Sequence, residues 1–448
     1  MGNYLFFSFV FLIYGFLFYI INNKVKIPVY MDEEFHLIQT INYYNDKYNY
    51  WNNKLTTFPG TFITASSFLK LVHFFKGKKF EDYDYIKYCR LFNILISSLS
   101  ILLLGLFKSS SNKFLITITL LPINFFYNFL FYTDSFSTIS LIYFFYVILN
   151  NKNKFLILST IIISVLARQN NIIWINLIPL SELIQNILFD NNINFQKIIL
   201  LPLQLIKKYF FIVIVDILFI CFLILNNFSV VLGDKSHHKI CCHLAQINHF
   251  LFFSLLFFPS INLKILKIHR SIKLKSAKEL FQIIFFFIIL SIILFIFNKF
   301  SITHDFLLSD NRHYTFYYFR KIYSNLKLRH ALIFYTSLIY SIFIVENLQY
   351  LLNGKILAFL ICLFMTLVPT PLIEMRYYIP CFIIFLILLN EQSCLINDNK
   401  KIEILTNPFF NWLNILEYIF INCIVIYIFI YKPFKNEYFN GEMSRFMF

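Results

Sequence analysis

The stretch "LFQIIFFFIILSIILFIF" (280–297) carries no charged residue and only two strongly polar ones. About 18 apolar residues suffice to cross a hydrocarbon core of roughly 30 Å. Lipid offers the backbone no hydrogen-bond partners, so a spanning segment is a helix or part of a closed barrel. Runs this long and uniform mean helices. Comparable runs recur near 4–21, 91–107, 114–131, 136–149, 155–166, 172–189, 209–226, 243–262, 331–350, 356–370, 377–390 and 413–431. The residues are 59% hydrophobic and 14% charged, against about a quarter charged in soluble domains. The sequence therefore predicts an all-α polytopic membrane protein with about 12–14 transmembrane helices, since several runs are shorter than the usual ~17 residues.

The net charge of +16 does not imply a nucleic-acid partner. Most basic residues lie between apolar runs, as in "KILKIHRSIKLKSAK" (264–278), where cytoplasmic retention and anionic lipid account for them. Phe, Ile, Asn and Lys are used so heavily throughout that a single Asn or Lys carries little weight. The eight cysteines (89, 221, 241, 242, 362, 381, 394 and 423) include no CxxC pair. Several lie in apolar runs, where a thiol behaves as a small hydrophobe. The first run lacks a basic leader and a small-residue cleavage site, which predicts a retained signal-anchor.

Placing the N-terminus in the cytoplasm sorts the loops. One side receives plain lysine-bearing linkers. The other receives 22–90, "YTDS" (132–135), "ARQNN" (167–171), "LGDKSHHK" (232–239), 298–330 and "PTPLIEMR" (369–376). Acids, histidines and arginines concentrate on this second, lumenal side, although the basic 298–330 loop makes the positive-inside pattern weak. The expected organisation is one transmembrane domain over 1–448: an anchor at 4–21, a first lumenal loop at 22–90, a helical bundle at 91–431 and a tail at 432–448.

A loop of this length is seldom idle. It opens with "YMDEEFH" (30–36), where Asp32 to about Tyr44 has helical periodicity and suits an amphipathic helix lying in the membrane plane. Helical spacing puts His36 on one surface with Glu33 and Asp32. Adjacent like charges and partial desolvation raise a carboxylate's affinity for a proton, which suits a general base. Asp32 and His36 could instead share a divalent ion, and Glu34 reads as solvated surface. Asp134 in "FYTDSFST" fits a helix N-cap or a substrate contact equally. In "LLSDNRHYTFYYFRK", Asp310, Arg312 and His313 precede an aromatic belt of the kind common at membrane interfaces. Arginine there can grip a lipid phosphate bidentately. Lys235, His237 and Arg376 extend this cationic rim, although Arg168 and Arg376 also fit snorkelling side chains. A base and several cations suit transfer of a group from a lipid phosphate to a hydroxyl.

The blocks "YMDEEFHLIQT", "YWNNKLTTFPGTF", "YTDSFS", "VLARQNNIIW", "VLGDKSHHKICCHLAQINHF", "LLSDNRHYTFYYFRK", "LIEMRYYIP" and "GEMSRFMF" run in order along the chain. Together they resemble the terminal α-1,2-glucosyltransferases of lipid-linked oligosaccharide assembly. Asn52, Phe58 and Phe448 depart from that pattern, where Asp, Pro and Trp are usual. The resemblance implies a C-type glycosyltransferase fold with membrane-parallel helices in the first lumenal loop, in the endoplasmic reticulum membrane. It implies dolichyl phosphate glucose as donor and the diglucosylated dolichyl-diphosphate oligosaccharide as acceptor, with inversion, no cofactor and no bound metal. On that basis Asp32 is expected as base with Glu33 as rival, and His36 and Asp134 as sugar-orienting residues. Arg312, His313 and Arg376 would hold the donor phosphate, while Asp310 and Arg168 would lie among the substrate-binding groups. Lys235 and His237 are further candidates for either lipid phosphate. A mannosyl donor, or a transporter or channel accessory role, are the competing readings. Charges gathered at one rim, instead of the bilayer midplane, favour an enzyme.

Overall fold

The computed structural model describes residues 2–107, 111–150, 153–190, 195–236, 238–263, 277–393, 408–436 and 441–448. Every predicted apolar run carries helix, and among the described residues the strands form one two-stranded hairpin near the C-terminus. Among the described residues five helices are long and apolar enough to cross a bilayer: Phe6–Lys24, Asp82–Gly105, Ala277–Lys299, Leu326–Leu348 and Trp412–Tyr431. A sixth is counted if Ile199–Lys208 and Phe210–Leu225, bent by 92°, act as one span. The other helices are shorter. Gly354–Leu367, with 14 residues, rises only ~21 Å.

Three predicted spans are interrupted. The 114–131 run breaks before Pro122, the 172–189 run breaks at Asn176, and the 243–262 run breaks before Pro259. Proline lacks the amide that would continue a helix but suits the first position of a new one.

Contacts divide the chain into two compact units. One is Met1–Leu115, Asn124–Leu183 and Asp190–Lys239; the other is Ile116–Ile123, Ile184–Phe189 and Ile240–Phe448. The first eight helices are α1 (Gly2–Tyr19), α2 (Glu33–Tyr44), α3 (Gly60–Lys76), α4 (Asp82–Gly105), α5 (Asn112–Leu120), α6 (Pro122–Tyr127), α7 (Thr133–Leu149) and α8 (Lys154–Ala167).

In the first unit, α1 turns Phe9, Leu12 and Phe16 outward, a stripe suited to lipid. Its other face buries Tyr14, whose hydroxyl accepts from Asn128 Nδ2 at 3.1 Å. The α7 helix is buried on nearly every side and forms the middle of the unit, which its apolar composition permits. Gly60 opens α3 against α8; a Cβ there would lie 2.5 Å from the Leu166 carbonyl oxygen. Only glycine permits that approach. The α4 helix begins at Asp82, nine residues before the apolar run, so the end of the expected loop is helical.

The second unit is built around the paired helices Ala277–Lys299 and Leu326–Leu351, with Ala245–Phe257 packed against both and the buried Ile379–Ser393 against Gly354–Leu367. Its last helix, Trp412–Tyr431, is followed by β1 (Phe434–Asn436) and β2 (Glu442–Ser444), antiparallel with Lys435 opposite Met443. Arg445 caps that helix by donating from a terminal nitrogen to the Ile430 carbonyl at 2.8 Å, satisfying one of the acceptors left open at a helix end.

Candidate active site

The acid-bearing turn of the first unit is set by one buried ion pair. Glu33 begins α2, and both it and Arg90 of α4 are inaccessible to solvent. Arg90 donates from Nε and a terminal nitrogen to the two Glu33 oxygens, at 2.9 and 2.5 Å. Its remaining donors reach Asn22 Oδ1 and the carbonyls of Ile27 and Pro28, so all five guanidinium protons are used. Glu33 also accepts from the amides of Tyr30 at 3.0 Å and Phe131 at 2.6 Å. A buried carboxylate and guanidinium tolerate burial only when both are this fully satisfied. The like charge expected beside Asp32 is thus compensated within its own pocket.

Asp32, the residue before Glu33, is in part open to solvent. It is half-buried at the cap of α2, directly after Met31, whose φ of 57° is left-handed. Such a conformation is uncommon for a non-glycine residue and persists where neighbours enforce it. The Asp32 amide donates to the Tyr132 hydroxyl at 3.3 Å. His36, buried one turn on, meets the Phe131 carbonyl through Nδ1 at 2.9 Å, and its ring lies edge-on to Tyr132. A carbonyl can only accept, so Nδ1 carries the proton of that bond.

The segment 130–132 is fastened from a second side. Asn93 Nδ2 of α4 donates to the carbonyls of Leu130 at 2.6 Å and Tyr132 at 2.9 Å. Asp134 follows immediately. It stands inside the first turn of α7, with Tyr132 at the cap, so the N-cap alternative does not hold. It is buried and ion-paired with Arg168, while its Oδ2 accepts no hydrogen bond among the described residues.

The rest of the first lumenal loop is tied to the same unit. Gln169 donates to the Thr56 carbonyl at 2.6 Å and accepts from the Phe58 amide at 3.3 Å. Asn52, where Asp is usual, accepts from the Lys54 amide at 3.0 Å through Oδ1, an Asx turn either residue can form. Phe58 packs edge-on against Phe222. Residues 232–234 run alongside 53–56: the Asp234 amide donates to the Asn53 carbonyl at 2.7 Å and the Leu232 amide to Thr56. Gly233, at φ +58°, has no room for a Cβ, which would lie 2.3 Å from the Asn53 oxygen. Lys235 follows, with Nζ donating to the Asn226 carbonyl and Oδ1. His237 lies outside the described residues.

The remaining sequence-identified residues belong to the second unit. Arg312 grips Asp310 bidentately, Nε to Oδ1 and a terminal nitrogen to Oδ2, each at 2.8 Å. Burial pushes the Asp310 carboxyl up, but Arg312 and the nearby His313 outweigh it and hold the group below its ordinary range. The loop is braced by the C-terminal segment. The Met447 amide donates to the Arg312 carbonyl at 3.0 Å, and the Tyr314 amide donates to Met447 at 3.0 Å. His313 Nδ1 meets the Phe448 carbonyl oxygen at 2.9 Å, and Asn436 donates to Asn311 Oδ1. Phe446 stacks on Phe434 and faces Tyr314. Arg376 is ion-paired with Glu374 in a short helical turn.

Within the first unit, Asp32, Glu33, His36 and Asp134 are thus linked through residues 130–134, and Arg168 joins them through Asp134. Sequence reasoning missed Arg90, Asn93, Gln169 and the bracing tail. Arg90 stood at the edge of an apolar run, where a charged residue in a helix already signals a buried partner. Asn93 was hidden among many asparagines.

The description "DIE2/ALG10 family" belongs to a family model that matches residues 26–387. A Candida albicans protein named Dol-P-Glc:Glc(2)Man(9)GlcNAc(2)-PP-Dol alpha-1,2-glucosyltransferase is 30% identical over 437 residues, covering 90% of both chains. A human protein of the same name is 29% identical over 430 residues, covering 84% of this chain and 87% of its own. One from Debaryomyces hansenii is 29% identical, covering 83% and 84%. No solved structure matches the chain.

Proposed function

This chain belongs to the DIE2/ALG10 family, and we propose that it transfers glucose from dolichyl phosphate glucose to the diglucosylated dolichyl-diphosphate oligosaccharide. The linkage formed is α-1,2, and the reaction takes place on the lumenal face of the endoplasmic reticulum membrane. The acceptor hydroxyl oxygen bonds to the anomeric carbon of glucose as the bond from that carbon to the phosphate oxygen breaks. Dolichyl phosphate leaves with the electron pair, and the hydroxyl proton passes to the base. One displacement of this kind inverts the anomeric centre.

The observation that carries the base assignment is the contrast between two neighbouring acids. Glu33 accepts four hydrogen bonds in a sealed pocket, which leaves no direction for an incoming hydroxyl. Asp32 borders solvent and is the acid of the pair that a hydroxyl can approach. General-base help of this sort contributes about 10²–10⁴-fold to rate. His36 and Asp134 are assigned to orienting the sugars; the Asp134 oxygen that accepts nothing suits a hydroxyl donor. Arg168, paired with Asp134, sets that carboxylate's position. Arg312, His313 and Arg376 are assigned to the donor phosphate, Asp310 orients Arg312, and Lys235 and His237 remain candidates for either lipid phosphate.

The test is the lipid-linked oligosaccharide profile of cells lacking the protein. The two-glucose species should accumulate, and the wild-type chain should clear it while Asp32→Asn does not. An unchanged profile overturns the reaction; clearance by Asp32→Asn removes Asp32 as the base.

A further inference from the structure

The acids singled out for chemistry sit on two separate turns, Met31–Asp32 before α2 and Tyr132–Asp134 at the start of α7. Neither turn is held by its own helix alone. Both are fastened to one face of α4, by Arg90 and by Asn93 three residues later, positions that neighbour each other on a helix surface. Arg90 holds the first turn through Glu33 and through the carbonyls of Ile27 and Pro28. Asn93 holds the second through the carbonyls of Leu130 and Tyr132. The turns are then joined to each other. Glu33 accepts from the Phe131 amide, His36 meets the Phe131 carbonyl, and the Asp32 amide donates to the Tyr132 hydroxyl.

We propose that Arg90 and Asn93 are positioning residues, a two-point clamp on α4 that sets the distance and orientation between Asp32 with His36 and Asp134. Glu33 is part of that clamp and is no base. The inference rests on the assignment of Asp32 as the base.

Three features carry it. The guanidinium has no unused donor, so its geometry is fixed by five acceptor oxygens on four residues in three segments. The Asn93 amide bridges carbonyls two residues apart, which pins the backbone between them. Every member of the network is buried except Asp32, the group assigned to chemistry, and Pro28. A misplacement of about 1 Å in a reacting group can cost on the order of 10²-fold in turnover, so a clamp of this kind should act on kcat and leave donor affinity alone.

The test uses the full-length protein purified into lipid nanodiscs, with dolichyl phosphate glucose and the diglucosylated lipid-linked acceptor. Two variants report on the clamp. The double variant Glu33→Gln with Arg90→Gln removes both buried charges together, which avoids stranding either one. Asn93→Ala removes the two carbonyl contacts without touching any charge. Each should lower kcat by roughly 10- to 100-fold with the donor KM within about threefold of wild type. Turnover within threefold of wild type in either variant overturns the clamp. So does a loss in which KM for the donor rises in step, since that marks general loosening. If the double variant is not recovered as a monodisperse protein, Asn93→Ala alone decides by the same criteria. Asp32→Asn in the same assay separates the two proposals. Near-normal turnover there overturns the base assignment, whereas an inactive Asp32→Asn beside a fully active clamp variant overturns the clamp alone.

Discussion

The turn around Asp32 and the loop around Arg312 are both held rigidly, but by different means. The first is fixed by side chains: a buried guanidinium and carboxylate, with an asparagine amide one helical turn away. The second is fixed largely by main chain, because the Met447 amide and carbonyl bracket residues 312–314 as a short parallel bridge. Side-chain clamps concentrate their effect in one or two residues and fail when one partner is removed. Backbone pairing spreads its effect over several residues and tolerates most single changes, provided the strand keeps its packing. A loop that holds several consecutive residues in register is well served by the second device. A turn that must hold one acid against a membrane helix is served by the first.

That contrast can be broken by measurement. The largest effect should come from Arg90→Leu, which strands Glu33 in a sealed pocket and should cost about 3–5 kcal/mol. Thermal unfolding of the purified protein would show it, and a loss under 1 kcal/mol would mean the pocket admits water. Met447→Ala should cost about 2–3 kcal/mol, since Met447 is fully buried and the change leaves a cavity. Its backbone pairing survives, so activity at low temperature should stay near wild type. Abolished activity there would show that the side chain, more than the main chain, braces the loop.

Asp310→Asn should act more weakly and in a pH-dependent way. The Asp310 carboxyl is held below its ordinary range, so its contribution is complete above the unfolded value near 3.9. It is lost as pH falls through the lower folded value. The stability gap between wild type and Asp310→Asn should therefore be constant from about pH 5 upward and close only in stronger acid. A gap that closes at pH 6 would contradict the pairing. The smallest effect is expected from Lys235→Ala. That lysine is half-exposed and donates to two Asn226 oxygens, so stability should change by less than about 0.5 kcal/mol. A larger change would place Lys235 in a structural role.

Every predicted apolar run carries helix, because lipid leaves the backbone no other choice, but α3 (Gly60–Lys76) and the helix Phe195–Lys208 lie outside those runs. The runs were not enough to find the breaks. Pro122 and Pro259 interrupt runs whose hydropathy is continuous, and hydropathy is blind to a missing amide. The motif residues were likewise legible one by one, yet their partners were not. Glu33 looked like a second candidate base while Arg90, which neutralises it, is 57 positions away. Nothing local predicts such a pairing. Asn93 was concealed by the chain's general use of asparagine, and only its two carbonyl contacts distinguish it from the background. The C-terminal "SRFMF" was recognisable as a motif, but its purpose came from pairing with a loop more than 100 residues earlier.

The bridge between residues 312–314 and 447 has a consequence for how the protein is made. Ribosomes deliver the Arg312 loop to the membrane well before Met447 exists, so that loop waits, incompletely braced, while the last helices insert. Its final shape is a late event of biogenesis. A chain stalled or cleaved before β2 would reach the membrane with its helices in place and still lack one of its two ordered motifs.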